Sequence, residues 1–462
     1  MKKIITLLLL TTAIPGLTTV SPGLTNVIPG LTGNLAAAQP ASAAGRLWSL
    51  HDCISYALDH NLTVQQSHLR VSQREVELNT AVSSRLPGVA AGASQNFSFG
   101  RGLTADNTYA NTNTTNTGFN LGADMTLFNG LRTKNNIALS RLNLQAATED
   151  LEKARDDIRV AVAKAYVQIL YDREILAVAQ RQIEIDSLQA ARLGAMLESG
   201  KTTQAEVSAQ EATLAQSRLS AVQASNNLQL ALLDLAQLLE LPSPEGFDVA
   251  APMHREPGLL PASPETVFEA AVETRPAVQA EQTRLEAAGR SIDIARGAYL
   301  PSLSLSGGIG TNYYTSSGYP SAKFFEQMSN NFSQYVGLSL SVPIFSRMST
   351  RNQVKTARIN YQSQQVQLDL VKKQLFKEIQ QAWYNALAAQ AKYESSRLAE
   401  TAAERSFSLM QSKYENGKAG ITEFNEAKNR YLKAASDLAQ ARYEAIFQAS
   451  LLDFYKGQAI EL

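Results

Sequence analysis

The sequence predicts an α+β protein that is mostly helical, in which long coiled-coil helices form a barrel joined to four β-strands. Three features predict this fold: long segments without proline, four segments in which apolar residues alternate, and one internal repeat. Proline is absent between Pro87 and Pro242 and again after Pro343. Because proline interrupts helices, its absence permits long, continuous helices in both regions.

The chain repeats itself once, at a spacing of about 217 residues. Leu127–Ile137 aligns with Ile344–Val354, and Glu198–Lys201 aligns with Glu415–Lys418. A cluster of prolines between Pro242 and Pro264 is typical of a linker. We therefore expect a signal peptide with leader at 1–43, a first repeat at 44–241, a Pro-rich linker at 242–264 and a second repeat at 265–462.

Each repeat is expected to contain a helix, two strands, a long helix and a further helix. In the first repeat we predict strands at about 88–100 and 117–128 and helices at about 129–198 and 201–240. In the second repeat we predict strands at about 302–313 and 332–345 and helices at about 346–416 and 420–456.

The two longest helices need a partner along their length. At about 1.5 Å per residue each would reach roughly 100 Å, far beyond a globular domain of this size. Apolar residues recur at the heptad spacing of a coiled-coil seam. These are Ile137, Leu144, Leu151, Ile158 and Ala165 in the first repeat, and Val354, Tyr361, Leu368, Leu375 and Ala382 in the second.

The predicted strands alternate apolar residues with small or polar ones. In the last strand, Val336, Leu338 and Leu340 alternate with glycine and serine. Each strand has about 9–13 residues, the length of a tilted transmembrane strand. Polar loops at 101–116 and 314–331 join the strands in pairs.

Four strands leave two unpaired edges, which a bilayer does not tolerate because unsatisfied backbone groups are costly there. The chain must therefore borrow strands from other copies. Two copies would make a small barrel filled by its own side chains, whereas three would enclose an aqueous lumen. We predict a homotrimer that closes a 12-strand transmembrane β-barrel in lipid.

The N-terminus is typical of an export signal, since Lys2 and Lys3 precede an apolar core. Small residues follow, and cleavage after Ala38 or after Ala43 is compatible with them. The single cysteine, Cys53, excludes an internal disulfide and is expected to be a small buried residue.

Composition and motifs argue against several functions. The 42 basic and 42 acidic residues balance, which gives no reason to expect a nucleic-acid partner. The four histidines are scattered, and no nucleophile elbow, phosphate loop or metal-ligand spacing occurs. We expect no enzymatic activity, no cofactor and no metal site.

Tyr335–Phe345, with the sequence YVGLSLSVPIF, resembles the signature of TolC-like outer-membrane efflux proteins at the junction between strand and helix. Pro343 ends the strand there because it cannot donate to the sheet. Phe128 and Phe345 occupy the same place in the two repeats. The resemblance covers essentially the whole mature chain.

This resemblance implies a passive exit duct in the cell outer membrane, with a long periplasmic helical extension. The duct would serve a tripartite efflux pump or a type I secretion system. The implied partners are a periplasmic membrane-fusion adaptor and, through it, an inner-membrane pump of the RND or ABC type. The sequence selects neither the cargo nor the pump class.

The turns between long and shorter helices also match the family. Gly200 with Lys201 and Gly417 with Lys418 supply the glycine that lets a helix end in left-handed geometry. In the family these turns form the periplasmic tip that docks on the adaptor, so the resemblance implies that all four residues lie at or near that contact. The alternative is an ordinary helix cap with a solvated lysine.

Glu423 and Glu426 fall where the family has two aspartates that line the tunnel entrance, and Glu206 takes the matching place in the first repeat. Threefold symmetry would turn each into a ring of carboxylates that attracts cations. Tyr414 matches the family's tyrosine in the network that closes the entrance, but Ala419 stands where the family has an arginine. The alternative is that these carboxylates are helix-surface charges without a gating role.

Two other functions are compatible with parts of the sequence. An exported coiled-coil scaffold would explain the helices but not the four alternating strands. A stand-alone porin would close its own barrel from far more strands in one chain. The exit duct accounts for the export signal, the helices and the strands together.

Overall fold

The computed structural model describes residues 47–103, 107–251 and 263–461. The predicted signal peptide and leader at 1–43 lie outside the described residues, as do residues 252–262 of the predicted linker. The helices are α1 (Leu50–His60), α2 (Leu62–Ser83), α3 (Arg132–Glu198), α4 (Gln204–Leu238), α5 (Pro264–Thr274), α6 (Pro276–Gly297), α7 (Phe324–Asn330), α8 (Ser349–Glu415) and α9 (Ile421–Tyr455). The strands are β1 (Leu47–Trp48), β2 (Gly88–Leu103), β3 (Tyr109–Asn129), β4 (Asp248–Val249), β5 (Ser302–Ser316) and β6 (Ser333–Ser341). The described chain is therefore mostly helical with a small share of strand, which confirms the predicted class.

Two long helical hairpins dominate the structure. Helices α3 and α8 have 67 residues each, and α4 and α9 have 35 each. At about 1.5 Å per residue the longer pair reach roughly 100 Å. Helix α3 packs along α4, α8 packs along α9, and the two hairpins meet where α3 contacts α9. The heptad residues Ile137, Leu151, Leu368 and Leu375 are buried, as a packed seam requires.

The structure divides the helix predicted at the start of each repeat into two. Between α1 and α2, Asn61 is extended and its side chain accepts a hydrogen bond from the Thr63 N–H at 2.9 Å. Between α5 and α6, Arg275 is extended, because a proline such as Pro276 disfavours helical geometry in the residue before it. An asparagine cap and a proline thus start new helices.

Strands β2, β3, β5 and β6 form one antiparallel sheet in that order, so β2 and β6 are its edges. The registers place apolar residues of all four strands on one face. Leu121 lies between Ala91 and Ile309 across the sheet, and Leu305 lies between Met125 and Leu338. Leu338 is 68% exposed in the single chain, so this apolar face is open to its surroundings.

The sheet and its loops differ from the predicted bounds in three places. Strand β3 begins at Tyr109, so strands extend into the segment 101–116 that the sequence predicts as a loop. The short helix α7 lies in the segment predicted as the other loop, and β6 ends at Ser341, earlier than predicted. The polar composition of residues 101–116 gave no sign of the longer strands, because alternation of serine, threonine and asparagine has no apolar face.

A smaller packed region lies beside the long hairpins. Cys53 and Ala57 of α1 are buried in one cluster with Ile169 of α3 and Leu235 of α4. β1 pairs with β4 in parallel, and the Tyr166 hydroxyl donates to a backbone carbonyl beside this pair. None of the described helices contains a stretch long and apolar enough to cross a membrane.

Candidate functional site

Each long hairpin turns at a glycine with left-handed backbone geometry, with φ of 67° at Gly200 and 68° at Gly417. The second and third residues after α3 donate their N–H groups back to its last turn, at 2.9 Å from Gly200 and 2.8 Å from Lys201. The same bonds recur at Gly417 and Lys418, at 3.0 and 2.8 Å. This is the usual glycine C-cap, and it leaves both lysine side chains exposed at the turns.

Tyr414, one turn before the second tip, is buried although it lies near the end of α8. Its ring stacks on Phe424 of α9 at a centroid distance of 4.9 Å. Burial raises the pKa of the Tyr414 hydroxyl, the positive charge of Arg192 lowers it, and the negative charge of Glu206 raises it. The structure therefore brings Tyr414 within electrostatic reach of Glu206, which belongs to the other hairpin.

The tyrosine is joined to the first hairpin by Arg192 of α3. The guanidinium lies over the Tyr414 ring, 4.9 Å from its centroid, and donates to the backbone carbonyls of Tyr414 at 3.5 Å and Glu415 at 3.1 Å. An arginine on an aromatic face is attracted by the ring quadrupole. Arg192 thus crosses from one hairpin tip to the other.

Sequence reasoning missed Arg192 because the family resemblance placed the arginine at position 419, where this chain has alanine. In the structure Ala419 packs against the aromatic cluster around Tyr414. Arg192 comes from a helix 222 residues away in sequence. The repeat spacing offered no signal either, because the position that matches Arg192 in the second repeat is Leu409.

The three glutamates predicted at the entrance all have local partners. Glu423 accepts a hydrogen bond from the Gly420 N–H at 3.1 Å and so caps α9, and Glu426 pairs with Arg430 at 3.2 Å. Glu206 accepts a hydrogen bond from the Thr202 hydroxyl. Each carboxylate remains exposed at the tip side of its helix, so both the capping role and a role facing the entrance are compatible with the geometry.

At the other end of the long helices, strand gives way to helix through two consecutive left-handed residues in each repeat. Gly130 and Leu131 have φ of 68° and 63°, and Arg347 and Met348 have φ of 50° and 63°. Pro343 lies just beyond the end of β6, where its missing N–H leaves no gap in the sheet.

The two phenylalanines of this junction differ in their surroundings. Phe128 pairs with Leu303 in the sheet, after a shift in register beside it. Phe345 lies outside the sheet and is 74% exposed. The two positions align in sequence, but they are not equivalent in one chain.

Gly130 is required by close packing as well as by its backbone angle. A Cβ atom there would lie 2.1 Å from the carbonyl oxygen of Gly297, a distance no side chain can adopt. The end of α6 therefore touches the strand-to-helix turn backbone to backbone. This contact fixes where the long helix α3 leaves the sheet.

A four-stranded sheet with an open apolar face, continuous with helical hairpins of this length, defines an outer-membrane channel protein. The sequence model of the outer membrane efflux protein family matches residues 53–240 and 267–455, which is most of the chain. The chain therefore belongs to the outer membrane efflux protein family. The predicted TolC-like family, outer-membrane location and efflux-channel function are thereby confirmed.

Individual relatives agree with this assignment. The chain is 26% identical to the protein CyaE of Bordetella pertussis over 87% of this chain and 81% of that protein. It is 22% identical to the outer membrane efflux protein BepC of Brucella suis over 84% of this chain and 81% of the relative. The fold is similar to that of the Campylobacter jejuni CmeC outer membrane channel, with a TM-score of 0.74, 19% identity, and coverage of 89% of this chain and 87% of that one.

Proposed function

We propose that three copies of the chain close a 12-strand transmembrane barrel, and that their long helices continue from it as a periplasmic tube. The unpaired edges of the sheet carry this proposal. β2 and β6 have no strand beyond them within the described residues. In lipid, an open edge leaves backbone donors and acceptors unsatisfied, at several kcal/mol for each group. A neighbouring copy can satisfy β6 with its own β2.

The apolar face of the sheet supports a position in lipid. Val336 and Leu338 of edge strand β6 are strongly exposed in one chain, and so are Val89 and Phe97 of edge strand β2. Closing the barrel would pair the strands but leave this outer face apolar. A bilayer is the environment in which such a face is stable.

The helices support the same assembly through the proposed internal repeat. α3 and α8 have equal lengths, as do α4 and α9, and their bounds differ by the repeat spacing. Within one chain, Arg181 of α3 donates to the Tyr431 hydroxyl of α9 at 2.8 Å. The positions that correspond to these two are Leu398 of α8 and Leu214 of α4.

In one chain, α4 and α8 belong to separate hairpins, and Leu398 is 69% exposed. Leu409, which corresponds to Arg192, is 68% exposed. If α8 packs on α4 of the next copy as α9 packs on α3 within one chain, both leucines become covered. In the proposed assembly, Leu398 and Leu409 would thus make apolar contacts between copies at the positions where Arg181 and Arg192 make polar contacts within one chain.

A cysteine pair tests this arrangement. We expect Leu214→Cys with Leu398→Cys, purified in detergent and treated with a bismaleimide long enough to span an arginine–tyrosine contact, to form covalent dimers and trimers and no larger species. The matched control combines Leu398→Cys with Gln216→Cys, which lies on the opposite side of α4 and should be linked far less. A chain with Leu214→Cys and Leu398→Cys that stays monomeric after this treatment would contradict the proposed packing.

The assembled tube would act as a passive exit duct, without an energy source and without catalysis. Its proposed partners are a periplasmic adaptor and an inner-membrane pump of the RND or ABC type, joined at the exposed tips. Gly200, Lys201, Gly417 and Lys418 form the proposed docking tip. We expect Lys201→Glu with Lys418→Glu to abolish co-purification of the adaptor, whereas Lys355→Glu at the far end of α8 should not. Equal recovery of adaptor with both variants would remove the lysines from the docking tip.

Glu206, Glu423, Glu426 and Tyr414 form the proposed entrance. In a trimer the glutamates become rings of carboxylates, which favour cations over anions. We expect Glu423→Gln with Glu426→Gln to reduce the cation preference of single channels in a planar bilayer. An unchanged reversal potential under a salt gradient would show that these carboxylates do not line the path.

A further inference from the structure

A buried ionic network joins the two hairpins behind the tips. The Lys428 ammonium of α9 donates to the Asp186 carboxylate of α3, and the two side chains are 1% and 0% exposed. Ser217 and Gln210 of α4 donate to the same residue, Ser217 to the carboxylate and Gln210 to the backbone carbonyl at 3.3 Å. Three helices from both hairpins thus meet at one carboxylate. We call these four residues the buried network.

The burial is complete within a single chain, so it does not depend on how copies assemble. The attraction within a buried ion pair offsets the cost of removing its charges from water only when the geometry is good and the remaining hydrogen-bonding groups are satisfied. Asp186 meets that condition through Lys428, Ser217 and Gln210. Separating α9 from α3 at this level would break the ion pair, leaving Lys428 without its carboxylate and Asp186 with only the neutral donors Ser217 and Gln210 of its own hairpin.

The second hairpin is tied together by its own aromatic residues. Phe407 of α8 stacks on Tyr431 of α9 with centroids 5.6 Å apart, and it also contacts Phe424 at 5.6 Å. Tyr414 of α8 stacks on Phe424 as well. These contacts lie on both sides of Lys428 along α9. Helices α8 and α9 therefore move together around the network.

On the tip side of the network, the ties between hairpins are weaker. Asp186 lies about 18 Å from the end of α3 at roughly 1.5 Å per residue. Between it and the tip, Arg192 reaches α8 over the Tyr414 ring and through the backbone carbonyls of Tyr414 and Glu415, and only the bond to Glu415 is exposed. Unlike the buried ion pair, these contacts bury no second charge, and water can replace the bond to Glu415. The contact between the two hairpins is thus strong at Asp186 and weaker between Asp186 and the tip.

The repeat offers no equivalent network at the proposed contact between copies, where α8 would pack on α4 of the next copy. The positions that match Asp186 and Lys428 are Ala403 and Glu211, which cannot form an ion pair. The buried network is therefore a feature of the contact between α3 and α9 within one chain.

We propose that the Asp186–Lys428 pair is the pivot of the entrance. When the duct opens, the tip of the α8–α9 hairpin beyond this pair moves away from α3, while the two hairpins stay joined between the pair and the sheet. This inference rests on the proposed function as a duct that opens at its tip. The pair thereby sets how much of the tube can widen.

Hydrogen exchange with mass spectrometry on the purified full chain tests the pivot. In the wild type we expect amides of α9 on the tip side of Lys428 to exchange at least tenfold faster than those on the sheet side. Lys428→Met should speed exchange on the sheet side at least tenfold, in α9 and in the facing part of α3. The matched control, Arg430→Met, removes an exposed cation of the same helix. It should leave the boundary between fast-exchanging and slow-exchanging amides at its wild-type place.

Lys428→Met leaves Asp186 buried and charged, and the variant can fail to fold for that reason alone. The double variant Asp186→Asn with Lys428→Met buries no charge and should fold, but it lacks the ionic tie. The inference holds if the boundary moves toward the sheet in this double variant. A boundary that stays at its wild-type place in the double variant, or that is absent from the wild type, overturns it. Neither readout requires conductance or adaptor binding, so failure of the proposed function would be seen separately.

Discussion

Replacing Arg192 with methionine is expected to favour the open entrance. The variant keeps the length and the apolar stem of the side chain but loses the charge. It therefore removes the contact over the Tyr414 ring and the bonds to the carbonyls of Tyr414 and Glu415. All of these contacts join the two hairpin tips of one chain.

The size of the effect follows from the geometry. A partly exposed arginine on an aromatic ring contributes roughly 0.5–1 kcal/mol. A hydrogen bond from a charged donor contributes about 1.5 kcal/mol, and the one at 3.1 Å to Glu415 is the better of the two. Together they stabilise the closed tip by about 2 kcal/mol per chain, or roughly thirtyfold in the ratio of closed to open states. The effect is larger if three chains open together.

Single-channel recording in a planar bilayer, without adaptor, measures this ratio as the fraction of time in the open state. Arg192→Lys keeps the charge but loses the planar contact with the ring, and an intermediate effect is expected. Arg405→Met, on the exposed surface of α8, serves as the matched control. An open fraction for Arg192→Met equal to that of Arg405→Met would refute the idea that this arginine holds the tips together.

Two further predictions concern stability and reactivity. Gly130→Ala should prevent folding of the strand-to-helix junction, because its Cβ would clash with a backbone carbonyl. Gly194→Ala, in open space within α3, should instead raise stability by about 0.5–1 kcal/mol. Denaturant unfolding compares the two variants, and equal midpoints would contradict close packing at Gly130. Burial raises the pKa of the Cys53 thiol from 9.0 to about 12, so maleimide labelling should be slow at neutral pH, and its rate should keep rising with pH without levelling off near 9.0, until guanidinium unfolds the chain. The thiol binds its proton more tightly in the folded state, so its contribution to stability should be lost as pH rises above 9.0, and rapid labelling at neutral pH would show that the site is open.

Much of the fold could be predicted because its signals are local. The absence of proline, and of glycine inside α8, allowed the long helices to be placed within a few residues of their observed ends. Alternation placed the apolar faces of the strands. Local signals were weaker at Arg275 and Tyr109, where a break in a helix and an extension of a strand depend on a single proline or on polar pairing across the sheet.

The candidate site was less predictable because its decisive contacts are not local. Gly200 and Gly417 could be placed from the turn they form, since that geometry is set by neighbouring residues. Arg192 and the Asp186–Lys428 pair could not, because the pair joins residues 242 positions apart. No charge pattern along one helix reports which residue of another helix will face it.

In the proposed trimer, one chain supplies a third of the barrel. Native mass spectrometry of the purified protein, released from detergent micelles, tests this most directly because it counts chains without assuming any activity. We expect one dominant species with the mass of three mature chains. A stable, folded single chain that remains soluble after the detergent is removed would contradict the trimer.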